Sequence, residues 1–235
     1  ESVEIIKGPN SSLYGSGLGG VLHLFAYEPG KERSFAKISS SFGSYQMQKN
    51  TVSAGYADEK KSLFATYNHL QSEGYRDNSD YDRKSFHFNG TIYSGEHSAL
   101  SFLGNFTRLK AYIPSSIGKT AFEENPESAA FTWRSAQGYE SYDRFVMGLS
   151  YTQHFTENFE NTTSVFINSR DAYEPRPFDI LKENSFGLGA RTRFNYSTKL
   201  FSFPAEASLG AEFLSENYDG SNYENLYEDF PNQGS

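Results

Sequence analysis

The amino-acid sequence predicts an all-β fold: an antiparallel up-and-down sheet of about nine long strands that forms part of a membrane-spanning barrel. Three observations lead there. Apolar and polar side chains alternate with a period of two, the alternating stretches are longer than ordinary strands, and the connectors between them alternate in length.

The alternation is purest in two places. Phe145, Met147, Leu149 and Tyr151 interleave with Val146, Gly148 and Ser150, and Phe186, Leu188, Ala190, Thr192, Phe194 and Tyr196 interleave with Gly187, Gly189, Arg191, Arg193 and Asn195. Successive strand side chains point to opposite faces, so each stretch is a strand with one apolar and one polar side. Less regular alternation covers residues 35–43, 46–57, 62–71, 85–93, 98–108, 159–171 and 205–215. Leu100, Phe102 and Phe106 oppose Ser101, Asn105 and Thr107, while Phe86, Phe88 and Ile92 oppose His87, Asn89 and Thr91. At about 9–13 residues these strands exceed the usual length of about 5–6. A soluble β-sandwich also alternates, but a row such as Arg191, Arg193 and Asn195 could not form its core.

Short connectors are expected at 57–61, 94–97, 156–158 and 197–204, and long ones at 72–84, 109–141, 172–184 and from 216 onward. In a meander, alternate connectors lie at opposite ends. One end therefore carries tight turns and the other long loops, as in outer-membrane barrels. The turn near Gly43-Ser44-Tyr45 is the exception, being tight at the long-loop end.

Composition agrees with a polar-lined barrel. Aromatic residues make up 17% of 235 residues, with 21 Phe and 17 Tyr against one Trp, yet the mean hydropathy is −0.64. The net charge of −8, without any basic stripe, argues against nucleic acid as a partner. No Cys is present, which excludes disulfides and thiolate metal sites.

Two nucleotide-binding spellings fail on context. Gly15-Ser16-Gly17-Leu18-Gly19-Gly20 has the G-x-G-x-x-G form, but Val21-Leu22-His23-Leu24-Phe25 follows it as a strand, where a dinucleotide site needs a helix. Ser116-Ile117-Gly118-Lys119-Thr120 ends like a phosphate loop, but Ile113 stands where the first glycine is required. No catalytic constellation is evident, so the chain is not expected to be an enzyme or to need a cofactor. His23, His69, His87, His97 and His154 lack short metal-ligand spacing, although alternation points His87 and His154 toward the lumen. The run from Asp77 to Asp82 lacks the glycine and distal Glu of a calcium loop and reads as a solvated outer loop.

The stretch VEIIKGPNSSLYGSGLGGVLHL, from Val3 to Leu24, resembles the end of the plug domain of TonB-dependent outer-membrane receptors. It has a strand, Lys7-Gly8-Pro9, a small-residue stretch, then Tyr14-Gly15, Gly17 and Gly19-Gly20 leading into a final plug strand. The resemblance implies that these residues pack a plug inside a barrel. Residues 1–30 would be the C-terminal end of the plug and residues 31–235 the N-terminal part of a roughly 22-stranded barrel in the bacterial outer membrane. AYIPSSIGKTAFEENPESAAFTWRSAQGYESY, from Ala111 to Tyr142, is similar to the large loop of receptors for ferric citrate and related siderophores. That likeness implies active uptake of a ferric siderophore or related iron chelate.

A receptor of this family carries a complete plug and a TonB-contacting segment ahead of the barrel, so the sequence reads as a fragment. TonB would be contacted through a segment absent from this chain, and outer-membrane lipid would surround the wall. An anionic iron chelate would be held by cations and aromatic rings on the long loops. The residues expected to do so are Tyr112, Trp133, Arg134 and Tyr139 in the largest loop, with Tyr75 and Arg76 in the preceding one. The alternative is a surface-exposed β-rich binding or adhesion protein without transport activity.

Overall fold

The computed structural model describes residues 2–8, 19–30 and 34–226. Strands β1 (Ser2–Ile6) and β2 (Val21–Phe25) form an antiparallel pair, with Ser2 opposite Phe25 and Ile6 opposite Val21. Of the plug motif, Lys7, Gly8, Gly19 and Gly20 are described, whereas Pro9, Tyr14, Gly15 and Gly17 lie outside the described residues. Gly20 has φ +117°, and a Cβ there would sit 2.4 Å from the Ile6 carbonyl oxygen, so the close approach of the two strands requires glycine. The strand at Val21 removes the helix that a dinucleotide site would need.

Nine further strands form one sheet: β3 (Ser34–Phe42), β4 (Gln48–Ala57), β5 (Lys61–Ser72), β6 (Tyr81–Tyr93), β7 (Ser98–Tyr112), β8 (Tyr139–Thr156), β9 (Phe159–Pro175), β10 (Ile180–Leu200) and β11 (Phe203–Tyr223). Each is hydrogen-bonded to its sequence neighbours in an unbroken meander. One end carries tight turns at 58–60, 94–97, 157–158 and 201–202, and the other carries the connections 43–47, 73–80, 113–138 and 176–179. Helices α1 (Lys119–Glu124) and α2 (Phe131–Ala136) lie within the longest of these. The tight outer turn at Gly43 is built with Tyr45 and Gln46 at φ +57° and +52°. No described helix is long and apolar enough to cross a membrane.

The structure corrects several boundaries, mostly at the long-loop end. β8 begins at Tyr139 where alternation begins at 145, β10 begins at Ile180 where it begins at 186, and β11 runs to Tyr223. The expected long connector 172–184 shrinks to 176–179. Backbone pairing continues beyond the point where the outward face has any reason to be apolar. At the other end, the expected turn 197–204 is only Phe201-Ser202, both at positive φ, as a two-residue hairpin requires.

Residues directly opposite in an antiparallel ladder share a face, so register carries each face around the wall. One cross-strand row reads Ile38, Val52, Tyr67, Phe86, Phe106, Phe145. These residues belong to the apolar face, on which Phe86, Phe106, Leu149, Val165, Phe186 and Leu188 stand exposed. A contiguous exposed apolar band of this kind is the lipid-facing surface of a barrel. Rows on the other face are polar: Thr51, Asn68, Ser85, Thr107, Arg144, Arg170, Ser185 and Tyr218. Their hydroxyls bond across the strands, Ser53 to Thr66 and Ser164 to Ser150 at 2.8 Å and Thr91 to Ser101 at 3.0 Å.

The segment after β2 docks on this polar face. The Tyr27 ring lies 5.0 Å from Phe64 and 6.0 Å from Phe35, and the buried Asn89 amide donates to the Tyr27 carbonyl at 3.1 Å. Phe35, Phe64 and Asn89 all belong to the polar face by register. The polar face is therefore the lumen and the apolar face looks outward.

Candidate ligand site at the outer end of the lumen

The lumen face changes character near the long-loop end. One row reads Lys49, Leu70, Arg83, Leu109, Tyr142, Ala172, Glu183, and the row beneath it places Arg144 directly opposite Arg170. Arg170 is held on both sides, by Glu183 at 2.7 Å and Glu140 at 2.9 Å, and its guanidinium lies 5.2 Å from the Tyr142 ring centroid. Tyr218 donates to the other oxygen of Glu183 at 2.6 Å. Arg176 binds Asp179 through two nitrogens at 2.6 and 2.7 Å and donates to Asn222 at 3.4 Å. Arg83 and Arg144 have no ion pair among the described residues. Arg144 is exposed toward the lumen and Arg83 half-buried, two cations in reach of an anion entering from outside.

The carboxylates here are tuned by these partners. The Tyr218 hydroxyl, and after it Arg170, hold the Glu183 carboxyl below its ordinary range. Burial pushes Glu174 upward, outweighing the opposing pull of Arg176 and reinforced by Glu140, Asp179 and Glu183. A carboxylate with a depressed pKa contributes stability that is fully present above its unfolded pKa and lost as the pH falls through the folded one. The stability difference between the native protein and a Glu183→Gln variant therefore shrinks as the pH drops below about 4, near the unperturbed carboxylate range. Thermal melting of both proteins across that range checks it.

The six loop residues expected from the sequence are placed differently from one another. Arg76 is consumed internally: it donates to the Ser115 carbonyl at 2.7 Å and to the Ser128 carbonyl at 2.8 and 3.0 Å. Asn78 donates to the Ile113 and Gly138 carbonyls at 2.9 and 3.0 Å. These bonds fasten the 73–80 loop to the 113–138 loop, and of the Asp77 to Asp82 run Asn78 and Asp77 take part in it, Asp77 through its amide to the Glu127 carbonyl at 2.7 Å. No metal-ligating cluster exists among the described residues. Trp133 packs over Gly138 and meets Phe178 edge-on at 6.5 Å. Tyr75 stands exposed against Tyr45 at 5.6 Å.

Arg134 pairs with Asp77 at 3.2 Å and shares a cleft of about 410 Å³ with Tyr112, Asn78, Asp80 and Gln137. Tyr112 and Tyr139 face each other across β7 and β8 at 5.4 Å, but register puts both on the outward face. Of the six, the structure thus brings only Tyr112 and Arg134 into one cleft. His87 and His154 do point into the lumen, bonded to Asn89 at 3.0 Å and paired with Glu160 at 3.2 Å.

An Arg76→Ala variant removes three of the bonds that hold the two loops together. Charge-assisted bonds contribute about 1.5–3 kcal/mol each and much of this is regained by water, so local loop stability falls by about 2–3 kcal/mol. The expected result is faster backbone amide exchange over residues 113–138, with exchange in β8 to β10 unchanged.

No family model matches the chain. Over 87 residues it is 40% identical to the metal-pseudopaline receptor CntO of Pseudomonas aeruginosa, a match covering 35% of this chain and 12% of that protein. The siderophore receptor PiuA from Acinetobacter baumannii has a TM-score of 0.77 at 12% identity, covering 99% of this chain and 39% of its own. BauA, the ferric preacinetobactin receptor of the same organism, has 0.79 at 11%, covering 94% and 36%. The ferric citrate transporter FecA has 0.64 at 15%, covering 79% and 29%. The chain spans well under half the length of each of these proteins. At such identities the solved structures establish the fold, which is that of the outer-membrane siderophore receptors. The resemblance read from the sequence is matched there, and these relatives are transport receptors, not enzymes.

Proposed function

We propose that residues 1–30 are the end of a plug domain and residues 31–235 the first strands of a barrel, together part of an outer-membrane receptor that takes up a ferric siderophore or related metal chelate. Arg83 and Arg144, cations without acidic partners at the outer end of the lumen, are the observation that carries the reading. Siderophore complexes are commonly anionic, and guanidinium groups recognise carboxylate and phenolate oxygens in a fixed geometry.

The partial-barrel reading has its own support. Among the described residues β3 and β11 each have a single hydrogen-bonded neighbour, and the 21-residue β11 leaves a long row of backbone donors and acceptors without partners there. Further strands in a closed barrel satisfy them. Energy would come from TonB through a segment outside this chain.

The test is radiolabelled iron uptake by cells expressing the full-length protein, supplied with ferric hydroxamate, catecholate and citrate complexes in turn, with and without TonB. Uptake of one complex that depends on both proteins is the expected outcome. Surface binding with no TonB-dependent uptake of any metal chelate favours a binding or adhesion role.

A further inference from the structure

Charge on the lumen face is divided between the two halves of the wall. On β3 to β7 the lumen positions are every second residue from Phe35 to Ser41, Lys49 to Ala57, Ser62 to Ser72, Tyr81 to Tyr93 and Ala99 to Ala111, and none is a carboxylate. On β8 to β11 the same face carries Glu140, Glu174, Glu183 and Glu216 toward the long-loop end, with Asp179 in the turn between β9 and β10. Lys49, Arg83 and Arg144 lie on β4, β6 and β8, and the carboxylates gather from there to β11. On the premise that the receptor takes up a metal chelate, we propose that this divided lumen selects a zwitterionic one: carboxylates of the chelate meet Lys49, Arg83 and Arg144, and a protonated amine of the same molecule pairs with Glu216.

Glu216 is the carboxylate of this group left without a cation. Arg170 lies between Glu140 and Glu183, at 2.9 and 2.7 Å, and Arg176 between Asp179 and Glu174, at 2.6 and 3.9 Å. Four acids thus share two guanidinium groups and keep a negative excess. Glu216 is exposed and has no hydrogen bond or ion pair among the described residues. It ends the row Asn105, Val146, Asn168, Gly187, Glu216, one step farther from the loops than the row of Arg144 and Arg170. Directly opposite it, Gly187 presents no side chain, and the Asn168 carboxamide lies over that glycine, 2.5 Å from where a Cβ would stand. The floor beside Glu216 is therefore open and polar. Lys49 is likewise exposed, flanked by Ser41 and Leu70, with no ion pair among the described residues.

The division of charge identifies the class of ligand. Three strand spacings, about 15 Å along the wall, separate Arg144 from Glu216, a span that two long side chains and a small chelate fill together. Complementary charge fixes the orientation of a ligand carrying both signs, and like charge penalises a ligand carrying only one. A chelate that is anionic all round, such as a tricatecholate, is drawn to Lys49, Arg83 and Arg144 and repelled by the carboxylate excess beyond them. A cationic chelate meets the reverse. One with carboxylates at one end and an ammonium group at the other satisfies both sides. If instead a cation on a strand beside β11 held Glu216, losing that carboxylate would cost stability and leave ligand choice unchanged.

The experiment titrates the full-length protein with two iron(III) probes, nitrilotriacetate bearing an aminobutyl arm and the same chelator with its amine acetylated. The native protein is expected to bind the amine probe at least about tenfold more tightly, the effect of one charge-assisted contact. Glu216→Gln should bind both probes equally, with the native affinity for the acetylated one and the native melting temperature. Lys49→Gln should weaken both probes alike. Equal binding of the two probes by the native protein overturns the amine subsite and leaves the chelate receptor standing, whereas binding of neither overturns chelate recognition in this lumen and the subsite with it. A Glu216→Gln variant that melts earlier and keeps the native preference assigns Glu216 to the wall and overturns its role, and unchanged affinity of Lys49→Gln for both probes removes Lys49.

Discussion

Replacing Arg83 and Arg144 together by Ala is expected to weaken binding of the transported chelate by the full-length protein by on the order of 100-fold. Each charge-assisted contact to an anionic ligand contributes about 1.5–3 kcal/mol, and losing two costs at least two decades in Kd. Neither side chain forms an ion pair within the wall, so the substitution strands no buried partner. Thermal stability should therefore stay within about 0.5 kcal/mol of the native value. Arg170→Ala behaves oppositely: it leaves Glu140 and Glu183 facing each other without their shared cation and lowers stability whether or not ligand is present. Titration calorimetry with the chelate, paired with melting curves, separates a ligand contact from a structural one. Binding that survives the Arg83 and Arg144 double variant removes these residues from the site.

Gly55→Val is expected to detach the segment that enters the lumen ahead of the wall. A Cβ at Gly55 would lie 2.3 Å from the Phe35 ring and 2.9 Å from Pro29. Phe35 is one of the rings on which Tyr27 rests and Pro29 belongs to the segment itself, so relieving the clash means moving one of them. Overpacking of this kind costs about 1–3 kcal/mol. If the segment lifts away, the buried Asn89 amide also loses the Tyr27 carbonyl, at a further cost of about 1–3 kcal/mol. The readout is limited proteolysis: cleavage between residues 26 and 34 should accelerate well before the barrel melts. Gly148→Ala supplies the control, because its Cβ would meet Leu103 at an ordinary 3.6 Å.

Most of the wall is legible in the sequence, and the reason is the bilayer. Where lipid faces the strand, every second residue must be apolar, and Phe86, Phe106, Leu149, Leu188 and their neighbours reveal both the strands and their inward partners. Above the band that constraint ends. Lys84, Arg108, Lys110, Asp143 and Lys182 occupy outward positions there, alternation disappears, and the hydrogen-bond ladder runs on unseen to Tyr112, Tyr139, Pro175 and Tyr223.

The same loss of signal displaced the candidate site. Tyr112 and Tyr139 read as loop residues in the sequence and are outward-facing strand residues in the structure, whereas Arg83 and Arg144 sit one or two positions past the last alternating residue. Parity would have found them: Arg144 shares the face of Val146 and Ser150, and Arg83 that of His87 and Asn89. Arg76 could not have been assigned this way, because its role rests on carbonyls far along the chain, at Ser115 and Ser128.

Assignment of the two faces underlies the proposed site and the division of its charge, and because this chain has no Cys, single cysteines placed in it can be read directly once any elsewhere in the full-length protein are replaced. Single cysteines would be placed at Phe106, Leu149 and Leu188 on the outward face, at Ser85 and Ser164 on the lumen face, and at Lys84 beyond the apolar band. The full-length protein in lipid vesicles would then be treated with a small water-soluble maleimide and with a lipid-soluble one. The face assignment predicts that the lumen and Lys84 positions react with the water-soluble reagent, and that Phe106, Leu149 and Leu188 react only with the lipid-soluble one. Ready labelling of Leu149 and Leu188 by the water-soluble reagent, with Ser85 and Ser164 protected, would invert the wall and contradict the account.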